Sequence, residues 1–288
     1  MAIQRRRFRR GFTLTEVVIV VALIALITAL AVPAYGRIRS MARQSREVSA
    51  LRQVLLAWTS YAGDHEARVL PGYLPGLPAS QANGEAIPPE AFGSGVTIAA
   101  RYPWRLAPYL AWQFRTLYVG DQQAQLEKAE LSADPGAALY FASLYPSFGL
   151  NSAFVGGDSE RAGFLPRTLP SGQPNPLSGF YVESLARVAH PERLIAFASA
   201  RTNATVDGAM TQGYFRIEAP RFTAPQWAAQ YDPAVPASCG NVAARYGAQD
   251  MVVCGFIAGN VESRPVEGLR DMRMWADGAD SPDWDLVP

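Results

Sequence analysis

Apolar residues are continuous near the start of the chain and become periodic soon afterwards. Residues 17–36 carry no charged side chain, and a helix of this length is about long enough to span a bilayer. After Pro33, apolar residues recur at steps of three and four, which predicts an amphipathic helix. This stripe contains Ile38, Met41, Ser45, Val48, Leu51, Leu55, Trp58 and Ala62. We therefore predict one helix over residues 12–62, ending near Gly63, apolar all round in its first half and amphipathic in its second.

The amphipathic half needs a surface to pack against, because its apolar face would otherwise be exposed to water. Its charged residues, Glu47 among them, lie mostly off the stripe. Further helices are predicted at residues 102–112 and 122–132, and strands at 194–199, 214–219, 251–257 and 260–264, the last two joined by a turn at Ala258-Gly259. A long first helix followed by late antiparallel strands predicts an α+β fold, with the helix packed on a C-terminal domain of the same chain.

Charge is concentrated at the start of the chain. Five of the 26 basic residues are arginines that precede Gly11, and Glu16 is then the only charged residue before Arg37. Arginines in front of an apolar segment predict a cytoplasmic N-terminus with the bulk of the chain on the other side of the membrane. A carboxylate near hydrocarbon is costly, which makes Glu16 a candidate functional residue.

The residues Gly11, Phe12-Thr13-Leu14 and Glu16 closely resemble the prepilin signal that type IV pilins share with type II secretion pseudopilins. The resemblance implies that a prepilin peptidase cuts between Gly11 and Phe12 and that the new amino terminus at Phe12 is N-methylated. It implies that Glu16 serves filament assembly and that Pro33 bends the membrane helix. The implied protein is a structural filament subunit, most simply a type II secretion pseudopilin.

The resemblance also implies an architecture and a location. A basic leader over residues 1–11 would be followed by a transmembrane helix over 12–36, an amphipathic continuation over 37–63 and a globular domain over 64–288, together forming a pilin-like lollipop. The chain would cross the inner membrane once, with its domain in the periplasm, before assembly into a periplasmic or extracellular filament. The implied partners are the prepilin peptidase, other pilin or pseudopilin subunits and the inner membrane.

A weaker resemblance covers the C-terminal half. Residues 147–151 and 193–198, and Arg245-Tyr246-Gly247 leading to Ala258-Gly259, look like a large bacterial pseudopilin-like family. Members of that family often carry a histidine near the position of Tyr246, and Ala258 stands where they have an aspartate. The strand-turn-strand pattern of the family is retained.

Several alternatives stay open at this point. The start of the chain has features of an ordinary secretory signal, with Ala29-Leu30-Ala31 as its cleavage site, or of a plain signal anchor. Neither alternative accounts for Glu16 or for Gly11-Phe12. The alternative functions are a type IV pilus subunit for adhesion or DNA uptake and a membrane-anchored glycan-binding protein.

The remaining composition favours a structural role. Formal net charge is +1, and the chain without its five leader arginines is mildly acidic, which gives no support for binding nucleic acid. With two histidines and neither a nucleophile elbow nor a phosphate-binding loop, we expect no enzymatic activity and no cofactor.

Two further sets of residues are candidates for a disulfide and for a metal site. Cys239 and Cys254 are predicted to form a disulfide, as an even pair of cysteines does in exported proteins, and the alternative is two buried thiols. Asp277, Asp280 and Asp283 are weak candidates for calcium ligands in a turn-rich segment, and a solvated acidic tail is the favoured interpretation. No other metal site is expected.

Overall fold

A computed structural model describes residues 13–87, 98–175, 177–206, 208–247 and 250–286. The chain divides into two units, Met1–Arg43 and Gln44–Pro288. In its described part, the first unit is the beginning of a single helix. The second unit contains the end of that helix and all the other elements found in the described residues.

Helix α1 is continuous over Leu14–Asp64, which confirms the predicted long helix. It closes at its C-terminal end where Glu66 and Ala67 adopt positive φ values, and the amide of Ala67 donates to the carbonyl of Ala62 at 2.8 Å. Pro33 lies within the helix, and a bend there stays a prediction. Within the part of the chain that the structure describes, no helix combines the length and the apolar character that a membrane span requires.

Short helices and strands make up the rest of the second unit. The helices are α2 (Tyr102–Leu106), α3 (Asp121–Glu130) and α4 (Pro135–Leu144). The strands are β1 (Phe148–Leu150), β2 (Ile195–Ser199), β3 (Thr205–Val206), β4 (Ala209–Met210), β5 (Met251–Phe256) and β6 (Val261–Pro265). Single 3₁₀ turns lie at Ile98–Ala100, Ala107–Leu110, Phe114–Leu117, Leu185–Arg187, Pro236–Cys239, Val266–Arg270 and Met272–Met274.

The main sheet is antiparallel, with the strand order β1-β2-β5-β6, and β3 and β4 form a separate hairpin. Together with α1 this sheet confirms the α+β prediction. The strands predicted at 194–199, 251–257 and 260–264 correspond to β2, β5 and β6. The turn between the last two contains Gly259, whose φ of 91° is a conformation that glycine adopts without steric cost.

The prediction of a strand at residues 214–219 is wrong, although the side chains there do alternate between buried and partly exposed. Phe215, Ile217 and Ala219 are buried, as a period of two predicts. The segment forms one parallel bridge, between Arg216 and Leu150 of β1. Its neighbouring amides donate elsewhere, that of Phe215 to a carbonyl in α4 and that of Glu218 to a carbonyl in the loop at residue 240. The chain is therefore extended and half-buried, but it pairs with no strand over its length.

The two faces of the main sheet carry different layers. On one face, Trp58 of α1 packs edge-on against Phe197 of β2, with ring centroids 6.2 Å apart. A Cβ at Gly255 of β5 would lie 2.8 Å from the Leu55 side chain, so helix and strand are in close contact. On the other face, Val252, Cys254 and Phe256 pack in a cluster with Trp275 from the C-terminal segment.

The apolar stripe of α1 is buried from Leu51 onward. Leu51, Val54, Leu55, Trp58 and Ala62 lose almost all of their accessible surface to the second unit, which confirms that the amphipathic half packs on the globular domain. Ile38 and Met41 were predicted on the same stripe but are exposed. They precede Gln44, where α1 enters the second unit.

Candidate functional site

Thr13 and Glu16 form a reciprocal cap at the start of α1. Oε2 of Glu16 accepts hydrogen bonds from the amide and the hydroxyl of Thr13, each at 2.8 Å, and the amide of Glu16 donates to Oγ1 of Thr13 at 3.3 Å. This is the capping box of a Thr-x-x-Glu sequence, and a carboxylate in the first turn also interacts favourably with the helix dipole. The local sequence therefore determines both where α1 begins and where the Glu16 carboxylate lies.

The turns that follow Glu16 present an apolar surface on every side. Exposed fractions of at least half are found for Leu14, Val17, Val18, Ile19, Val20, Val21, Leu23, Ile24, Leu26 and Ile27. The hydroxyl of Thr28 donates to carbonyls of its own helix at 2.9 Å and so needs no outside partner. An exposed apolar surface of this extent marks a contact with other proteins or with lipid.

The carboxylate of Glu16 has capacity for another partner. Both contacts with Thr13 use Oε2, and within the described residues Oε1 accepts no hydrogen bond. A carboxylate oxygen of this kind can accept a charge-assisted hydrogen bond from an ammonium group without breaking the cap. Gly11 and Phe12, the predicted cleavage site and methylated terminus, lie outside the described residues.

A second acidic residue of α1, Glu47, connects the helix to the sheet. It is fully buried and accepts hydrogen bonds from the hydroxyl of Ser199 in β2, the guanidinium of Arg245 and the hydroxyl of Tyr246. Arg245 also donates from Nη2 to three backbone carbonyls, those of Ser147, Ala200 and Gln212. Glu47 is therefore fully buried and the Arg245 side chain is only 13 % exposed, with most of the hydrogen-bonding groups of the pair satisfied.

The burial of Glu47 corrects the expectation that it lies off the buried stripe. It precedes Leu51, Val54 and Trp58 by four, seven and eleven residues, which places it on the same helix face. That spacing was available in the sequence, but an acid at this position indicated an exposed site. Arg245 and Tyr246 lie in the segment of the weaker resemblance, and both donate hydrogen bonds to the carboxylate of Glu47.

The predicted Cys239–Cys254 disulfide is wrong, because both cysteines are free and buried. Cys254 lies within β5 and its Sγ is 3.8 Å from the carbonyl of Val252, whereas Cys239 ends a 3₁₀ turn and its Sγ is 3.8 Å from the carbonyl of Gln230. Burial raises the pKa of the Cys254 thiol to about 12 and also raises the pKa of Cys239. The alternative of two buried thiols therefore holds.

The aspartates near the C-terminus are engaged separately. Asp277 accepts hydrogen bonds from the backbone amides of Ala189 and His190 at 3.0–3.1 Å. Asp285 binds Arg221 through two hydrogen bonds of 3.0 and 2.6 Å. Asp280 and Asp283 are exposed. Among the described residues, no group of three or more histidines, cysteines or acids could hold a metal ion, so Asp277, Asp280 and Asp283 form no such group there.

The prokaryotic N-terminal methylation motif matches residues 6–32 of the chain, which confirms the prepilin-type signal of type IV pilins and pseudopilins. The match includes the predicted cleavage site at Gly11-Phe12 and the carboxylate at Glu16. This motif implies processing by a prepilin peptidase and assembly with other pilin-type subunits, and it marks structural rather than catalytic proteins. No curated protein and no solved structure matches the chain.

Proposed function

We propose that the chain is a structural subunit of a pilin-like filament and that it is a type II secretion pseudopilin. In this proposal the chain is cleaved after Gly11 and N-methylated at Phe12 before it assembles. The observation that carries this proposal is the single carboxylate of Glu16 at the start of an exposed apolar helix, inside the matched motif. The weaker resemblance of the C-terminal half to pseudopilin-like proteins is the reason for choosing this class.

The proposed assembly contact joins Glu16 to the amino terminus of a neighbouring subunit. Removal of the leader frees the amine of Phe12, and Oε1 of Glu16 is the oxygen that can accept a hydrogen bond from it. A charge left unpaired among apolar helices would cost several kcal/mol, so wrong axial registers are disfavoured even if the net stabilisation by the pair is small. The packing of exposed apolar side chains supplies the attraction, and the pair selects the register.

The proposed topology follows from the charges and the apolar run. The leader arginines hold the N-terminus in the cytoplasm, residues 12–36 lie in the inner membrane, and the second unit lies in the periplasm. The prepilin peptidase then acts at the cytoplasmic surface. Helix α1 begins among the residues proposed for the membrane, and its last turns contribute to the core of the second unit. One continuous helix therefore supplies both the proposed anchor and part of that core.

The test compares Glu16→Val with Thr28→Val as a matched control. Both variants remove a polar side chain from the apolar half of α1. The Thr28 hydroxyl already donates to its own helix, whereas Glu16 uses only Oε2 for its cap and keeps Oε1 for a partner. We expect normal membrane levels and normal leader removal for both. Glu16→Val should lose cross-linkable filament, whereas Thr28→Val should keep it. Mass spectrometry measures processing, and a chemical cross-linker applied to whole cells measures assembly.

Two results would count against the proposal. Assembly of Glu16→Val at the level of Thr28→Val would mean that the carboxylate is not an assembly contact. A mature N-terminus at Val32 in the unmodified protein would mean cleavage after Ala29-Leu30-Ala31 by an ordinary signal peptidase.

A further inference from the structure

Two adjoining cavities on the second unit share part of their walls. Their volumes are about 690 Å³ and 370 Å³. The residues common to both are Arg167, Tyr181, Glu183, Ser184 and Arg187. Because of this shared wall we treat the two cavities as one feature, called here the Tyr181 groove.

The floor of the Tyr181 groove is an extended segment, residues 181–184, whose backbone is paired on both sides. On one side the amide of Val182 donates to the carbonyl of Phe154 and its carbonyl accepts from Gly156, both at 2.9 Å. On the other side the carbonyl of Glu183 accepts from Val69 at 3.0 Å. A ligand peptide therefore finds no open strand edge here, and a ligand must be recognised by side chains.

Two aromatic rings line the larger cavity. Phe164 and Tyr181 meet edge to face with their centroids 5.6 Å apart, and Phe164 is 38 % exposed. A Cβ at Gly157 would lie 2.7 Å from the Tyr181 ring and 3.0 Å from the Phe164 ring, so a glycine is needed beneath them. Phe164 itself has a φ of 64°, which is unfavourable for a bulky residue. Backbone strain of this kind is concentrated at ligand-binding sites.

Charged side chains stand beside these rings. Arg167 binds Glu183 at 3.1 Å, and both side chains are exposed to solvent. Arg68 and Arg187 also line the larger cavity, and within the described residues neither forms an ion pair. Glu66 is the other acid there, so arginines outnumber acids in this cavity. In the smaller cavity, the carboxylate of Asp277 is already bound by backbone amides.

We propose that the larger cavity of the Tyr181 groove binds an acidic oligosaccharide, because three arginines and two acids line this cavity, whereas the two cavities together carry three of each. The C–H faces of a pyranose ring stack on aromatic side chains such as Phe164 and Tyr181, while the surface ion pair of Arg167 and Glu183 can donate to and accept from neighbouring hydroxyl groups. The two arginines without ion pairs, Arg68 and Arg187, supply planar donors that match a sugar carboxylate. The paired floor disfavours a peptide ligand.

This inference is independent of the filament proposal. Every residue of the Tyr181 groove lies in the second unit, whereas the assembly contact involves the first turn of α1. Loss of assembly in a Glu16 variant should therefore leave sugar binding unchanged, and loss of sugar binding should leave leader removal and assembly unchanged.

The test is titration calorimetry on the full chain in detergent micelles. The probes are tetragalacturonate and tetramannuronate, each compared with its methyl ester, which keeps the sugar rings and removes the negative charge. We expect saturable binding of at least one acidic tetramer, about tenfold weaker for its ester. We also expect about tenfold weaker binding for Arg68→Gln or Arg187→Gln, and weaker binding of acid and ester alike for Phe164→Ala. The matched control is Arg115→Gln, an exposed arginine outside the groove, which should change nothing.

Three results would overturn the proposal, provided that each variant unfolds at the same temperature as the parent chain. The first is no saturable binding of either acidic tetramer. The second is equal affinity for acid and ester, which removes the role of the arginines. The third is equal affinity for tetraglutamate, which would make the groove a general anion site without selectivity for sugar.

Discussion

Replacing Glu47 by glutamine tests whether the buried charge pair holds α1 on the sheet. The substitution keeps the shape of the side chain but removes the negative charge that faces Arg245. Breaking a buried pair from one side destabilises a protein by about 3–5 kcal/mol, because the other charge is left without its partner. Arg245 keeps three carbonyl acceptors, so we expect the lower end, about 3 kcal/mol. For a body of this size that corresponds to a fall of about 6–12 °C in Tm.

The measurement is thermal unfolding of the full chain in detergent micelles, followed by circular dichroism. The control is Glu127→Gln, which removes one partner of an exposed pair, Arg115 and Glu127, 3.0 Å apart. An exposed pair contributes less than about 1 kcal/mol, so this control should change Tm little. Replacing both Glu47 and Arg245 by apolar residues should recover only part of the loss, because no charge is then left unpaired but the carbonyls of Ala200 and Gln212 lose their donor. A Glu47→Gln variant as stable as the control would refute the reasoning.

Two other expectations concern residues outside the proposed sites. Gly213→Ala should strongly destabilise the second unit, because the new Cβ would lie 2.1 Å from the carbonyl oxygen of Tyr145. Gly63→Ala should instead stabilise α1 by up to about 1 kcal/mol, because its Cβ would meet nothing within 4 Å and alanine favours the helix over glycine. Urea unfolding of both variants measures this, and equal effects of the same sign would contradict it. Cys239 and Cys254 should resist a thiol reagent at pH 8 in the folded chain, because burial raises both pKa values, and should react completely in urea without any reductant. A requirement for reductant would contradict free thiols.

Local patterns in the sequence were sufficient for the elements that depend on them alone. Helix α1 follows from an uncharged run and a stripe of period 3.6, and the β5–β6 hairpin from the two predicted strands on either side of the turn at Ala258-Gly259. The segment 214–219 marks the limit of such patterns. Alternation predicts which side chains are buried, but pairing depends on a partner strand that alternation does not specify.

Contacts between distant residues could not be predicted in the same way. Glu47 is an acid on a buried face because Arg245, 198 positions away, supplies its counter-charge. The cysteines were predicted to pair because an even number of cysteines in an exported protein suggests a disulfide. In the structure each thiol lies beside a different backbone carbonyl. The Tyr181 groove combines residues from four separate stretches of chain, and no single stretch has a pattern typical of a ligand site.

The cap between Thr13 and Glu16 has a consequence for the disassembly of the proposed filament. A subunit outside the filament keeps Oε2 of Glu16 bonded to Thr13, so its carboxylate retains two hydrogen bonds when the subunit leaves. Because the proposed assembly contact uses Oε1, entry and exit leave the cap intact and make or break only the bond at Oε1. The proposed contact is not covalent, so a filament held in this way can lose subunits as well as gain them.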